Sequence, residues 1–93
     1  MKNSETLTLI DGLFNSAEAK ELLATMISSK INFHNIKNWS SQERFGKNDE
    51  IAQKRIPELK KDMEKLQAIL SEARANNKKL LVSSKINIIL MDE

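Results

Sequence analysis

The sequence predicts an α+β fold in the order β-α-α-β. Two observations predict it: polar and apolar residues alternate near both ends of the chain, and apolar residues recur at three- and four-residue spacing through its middle. At 93 residues the length fits one compact domain over 1–93, with a thin core.

Thr6-Leu7-Thr8-Leu9-Ile10 alternates in a β-branched-rich stretch and predicts a strand over about 5–10. Asp11-Gly12 is the expected stop. Asn15 with Glu18 forms a capping-box pair, and a helix over about 16–37 follows. Ala19, Leu22, Leu23, Met26, Ile27 and Ile31 share one of its faces, and Glu18 and Glu21 sit where the helix dipole favours negative charge. Several serines and asparagines then weaken the pattern, which sets the expected end near Lys37. Ser40-Ser41-Gln42-Glu43 reads as a second capping box with Gly46 as its stop, so a separate helical turn is expected there.

The strongest periodicity belongs to the second helix, over about 49–75. Ala52, Ile56, Leu59, Met63, Leu66, Leu70 and Ala73 alternate by four and three residues in an unbroken heptad seam. That seam can serve a partner helix or pack on the first helix, and the second use gives the first helix its neighbour. Pro57 lies inside the seam, where it must kink the helix or begin it. Leu80 to Met91 alternates again, predicting one long strand over about 79–91. Leu80, Val82, Ser84, Ile86, Ile88 and Leu90 line its nearly continuous apolar face, which is expected to meet the helices. The assembled prediction is two antiparallel helices packed on a small antiparallel sheet.

Composition narrows the function classes. The chain has no cysteine, one histidine and two isolated glycines. Thiolate metal sites, disulfides and a glycine loop for phosphate are therefore excluded, and no cofactor is expected. The longest apolar runs, Ile88–Met91 and Leu80–Val82, are far too short to span a membrane. No signal-like segment opens the chain, so a cytoplasmic location is expected. The net charge is +2, with nine basic against six acidic residues between Lys47 and Lys79. Basic side chains interleaved with acidic ones on a helix are the usual solvated face, so nucleic-acid binding through Lys54, Arg55, Lys61 and Lys65 stands as an alternative only. A small enzyme or ligand binder with a site around His34, with Glu43, Arg44 or Asp49 in reach, is a second alternative.

The preferred expectation is a non-enzymatic protein-interaction module. It would associate with itself, as a homodimer, or with another protein. A C-terminal strand longer than its partner would leave an open edge, and pairing there would cover Leu81, Ile89 and Met91. The stretch from Phe33 to Asp49, carrying Trp39, Arg44 and Phe45, is the second candidate contact surface, because Trp and Arg recur at binding hot spots. Its competing use is as a plug that closes the helix layer.

Overall fold

The computed structural model describes residues 3–93. Two helices and a two-stranded antiparallel sheet follow in the predicted order: β1 (Ser4–Phe14), α1 (Ser16–Phe45), α2 (Glu50–Ala75) and β2 (Leu80–Ile89). The Asn15 capping box forms as expected. The Asn15 carboxamide accepts from the Glu18 amide at 2.8 Å, and the Glu18 carboxylate accepts from the Asn15 amide at 3.1 Å.

The first helix runs eight residues past the expected end at Lys37 and absorbs the separate turn expected after Ser40. Asn38, of a type that weakens a helix by competing for backbone groups, is engaged elsewhere, and Gln42 reaches the same connector. Asn38 Oδ1 accepts from the Asp49 amide at 2.8 Å, and Gln42 Nε2 donates to Asn48 Oδ1 at 2.6 Å. Both bonds fasten the connector to α1. Gly46, at φ +67°, is the true stop, and its amide donates to the Gln42 carbonyl. Asp49 then caps α2 by accepting from the Ala52 amide at 2.9 Å.

The helices lie antiparallel along the heptad seam. Ala52, Leu59, Leu66, Leu70 and Ala73 are buried, while Ile56 and Met63 are half-buried. Ala19 of α1 packs with Leu66 and Leu70, and Phe14, Leu23, Ala24, Ile27, Met63 and Leu80 surround them. The seam is thus consumed inside the chain. α2 stays one continuous helix through Pro57, which lies in its third turn.

β1 does not stop at Asp11-Gly12. It pairs out to Phe14, opposite Leu80, because β2 offers a partner along that whole length. β1 has 11 residues and β2 has 10, so the expected mismatch between a short and a long strand is absent. Leu9 is a bulge: Thr8 pairs with Lys85 and Ile10 with Ser84, leaving Leu9 unmatched. The bulge moves Ile10 onto the face that Leu7 occupies.

At the junction Phe14 and Leu80 join the core cluster, and Ile10 further along β1 is also buried. From Leu7 and Ile86 outward the ribbon is exposed. The radius of gyration is 16.8 Å, against about 12 Å for a compact chain of this length.

Candidate interaction surface

Residues directly opposite in an antiparallel pair share a face. One face of the ribbon carries, row by row, Phe14 with Leu80, Gly12 with Val82, Ile10 with Ser84, Leu7 with Ile86, and Glu5 with Ile88. The helices cover this face only at its base. Ile10 is 6% exposed, but Ile86, Ile88 and Leu7 are 39%, 43% and 50% exposed. The expectation that the helices would cover this apolar face therefore holds near Leu80 and Val82 and fails from Ile86 outward.

The opposite face is apolar at both ends and polar between, as the alternation predicts. Leu13 and Leu81 sit at the base, Ile89 at the tip, and Asp11, Ser83, Thr8, Lys85, Thr6 and Asn87 in the middle. The Thr6 hydroxyl donates to Asn87 Oδ1 at 3.1 Å across this polar stretch.

The edges matter as much as the faces. The Leu90 amide donates to the Asn3 carbonyl at 2.7 Å, so the even-numbered residues of β2 turn their backbone groups toward β1. The odd-numbered ones, from Leu81 to Ile89, turn theirs outward. Among the described residues no strand pairs with that outer edge. Two-stranded ribbons are marginally stable alone, and an open edge is a template for another strand.

The six residues singled out from sequence fall into two groups. Leu81, Ile89 and Met91 lie on or just beyond β2 and are exposed. Trp39, Arg44 and Phe45 lie in the last turns of α1, whose start is joined to the ribbon. About 35 Å of helix separates Trp39 from that junction. The structure does not bring the two groups together. Trp39 and Phe45 are both mostly exposed and so do not plug the helix layer. They are six residues apart on a helix, which places them on different faces.

Ile86 and Ile88 are exposed apolar residues of the face expected to meet the helices, and Leu7, opposite Ile86, is exposed beside them. The signal for them was present in the small number of strands. A ribbon of two strands about 30 Å long extends past any helix that meets it only at one end.

His34 is half-buried on α1, its ring edge-on to Phe33 with centroids 5.3 Å apart. Lys37 Nζ lies 5.7 Å above the Phe33 ring. Shallow grooves beside Leu22 and Met26 run along the same helix and are not lined by His34. No group of three or more His, Asp or Glu side chains among the described residues is placed to hold a metal ion. Of the basic residues of α2, Arg55 is paired with Glu58 at 3.3 Å. No described helix is long and apolar enough to cross a membrane.

Comparison with family models, with curated proteins and with solved structures gives no match to this chain.

Proposed function

We propose that this chain is a non-enzymatic protein-interaction module that self-associates through the outer edge of β2. The observation that supports this reading best is the unpaired row of outward backbone groups from Leu81 to Ile89, flanked by exposed Leu81, Ile89 and Met91. Strand addition satisfies those backbone groups, and burying each large apolar side chain contributes about 1.5–3 kcal/mol before the costs of association. The helix pair is a rigid support that holds one end of the ribbon.

The test is a proline placed on the open edge. Ser83 turns its amide away from β1, so Ser83→Pro removes an outward donor and leaves the β1–β2 ladder its own bonds. Light scattering at micromolar concentration is expected to give twice the 10.6 kDa chain mass for the native protein and the single mass for the variant. Helix content by circular dichroism stays the same. A native protein of single mass contradicts self-association, and a variant that keeps the doubled mass contradicts the use of this edge.

A further inference from the structure

We propose that α1 takes a second helical neighbour: an amphipathic helix of another chain, lying antiparallel along the side of α1 that α2 leaves open.

α1 is apolar on two sides, and only one of them is used. Ala19, Leu23, Ala24 and Ile27 belong to the core shared with α2. Leu22, Met26, Ser29, Phe33 and Ile36 alternate by four and three residues, the spacing of a heptad seam. They lie roughly a third of the way round the helix from the first set. Leu22 and Met26 are half-buried, while Phe33 and Ile36 are 54% and 56% exposed. α2 differs. Away from its seam it carries Lys60, Lys61, Asp62, Glu64 and Lys65, as a helix with one neighbour does. A helix apolar on more than one side is ordinarily enclosed on more than one side.

Two adjoining grooves follow this second stripe. Phe14, Leu22, Thr25 and Met26 line the first; Thr25, Met26, Ser29 and Phe33 line the second. From Glu18 to Phe33 they cover about 22 Å, or roughly four helical turns. Apolar side chains at heptad spacing over that length match the knobs of a second helix.

Charge gives the chemistry of that helix and its direction. Glu18 and Glu21 flank the first groove, and Lys30 flanks the second. Lys37 stands 5.7 Å above the Phe33 ring. Among the described residues the only ion pair is that of Arg55 with Glu58, so Glu21, Lys30 and Lys37 have no ionic partner within the chain. A complementary helix is basic over Glu21 and acidic over Lys30 and Lys37. Helices favour acids near their start and bases near their end, and that order fits this groove when the helix runs antiparallel to α1. A second copy is set apart by the reading above, on which the assignment to another chain rests. Pairing through β2 closes at two copies, and a second self-pairing face would carry the assembly past two.

The probes are three labelled synthetic peptides of about 21 residues with one shared leucine seam at heptad spacing. One has Glu through its first half and Lys through its second; the others have Glu throughout and Lys throughout. Fluorescence anisotropy with the full chain is expected to show saturable binding of the segregated peptide and about tenfold weaker binding of the other two. Phe33→Glu sets a charge in the groove, outside the core, and is expected to abolish binding with helix content unchanged by circular dichroism. Lys30→Glu with Lys37→Glu makes the groove acidic throughout and is expected to transfer the preference to the all-Lys peptide. Failure of the segregated peptide to saturate overturns this inference, and the native mass by light scattering then decides separately on pairing through β2. Saturable binding to a chain of single mass overturns that pairing and leaves the helix site standing. Equal binding of the three peptides, or binding that survives Phe33→Glu, overturns the helix site. A native mass above two copies that falls to two in Phe33→Glu makes the occupant a second copy and overturns it as well.

Discussion

At Gly46 the chain takes φ +67°, a conformation that L side chains rarely adopt. A Cβ built there meets nothing within 4 Å. The cost of Gly46→Ala is therefore purely that of the left-handed backbone, roughly 1–2 kcal/mol, and urea unfolding is expected to show a loss of that size. A smaller loss would mean that the connector has another way to end α1. Asn38 shows why the helix end was misread. Considered on its own helix it favours a stop; accepting from the Asp49 amide across the turn, it favours continuation, and the Gln42–Asn48 bond fastens the same turn. That partnership spans up to 11 residues and depends on α2 already lying alongside. By contrast, Asn15 and Glu18 cap a helix using only each other, and they were legible in the sequence.

Pairing partners decide where each element ends. Had α1 stopped at Lys37, it would have measured about 33 Å against about 39 Å for α2, and the seam around Ala52 would have lost its neighbour. The seam itself was fully legible, since all seven of its residues are buried or half-buried, because a heptad pattern depends on spacing alone. The C-terminal end of β1 was not legible, since Asp11-Gly12 breaks a strand only where no partner holds it. The bulge at Leu9 exchanges which apolar residues of β1 share a side, and nothing in an alternating run announces a bulge. In α2, Pro57 can offer no amide to the Gln53 carbonyl. Pro57→Ala restores that bond, and the freer unfolded chain offsets some of the gain. Thermal and urea unfolding are expected to show a net rise in stability of about 1–2 kcal/mol. Unchanged or lower stability would show that the helix has already accommodated the ring at no cost.

The whole molecule is a helix pair with a ribbon leaning off one end, and its function as proposed follows from that outline. Order and class of elements were readable from periodicity. How far the helices would cover the sheet was not, because coverage depends on the angle at which Phe14 leads into Ser16 and Leu80 leaves the turn at Asn77. The site was half legible in consequence. Leu81, Ile89 and Met91 were placed on the open face by alternation and are exposed, whereas Ile86 and Ile88 were hidden by an assumed layer of helix above them. The strand-length mismatch that suggested an open edge does not exist, yet the edge does, because a sheet of two equal strands has two unpaired sides.

Residue-resolved amide hydrogen exchange at micromolar concentration reads that edge directly. Leu81, Ser83, Lys85, Asn87 and Ile89 point their amides away from β1 and have no intramolecular acceptor on that side. Self-association through β2 predicts that these five exchange slowly, as slowly as the even-numbered amides bonded to β1, and faster on dilution. Exchange at the rate of open chain for all five, with the even-numbered amides still protected, would contradict it.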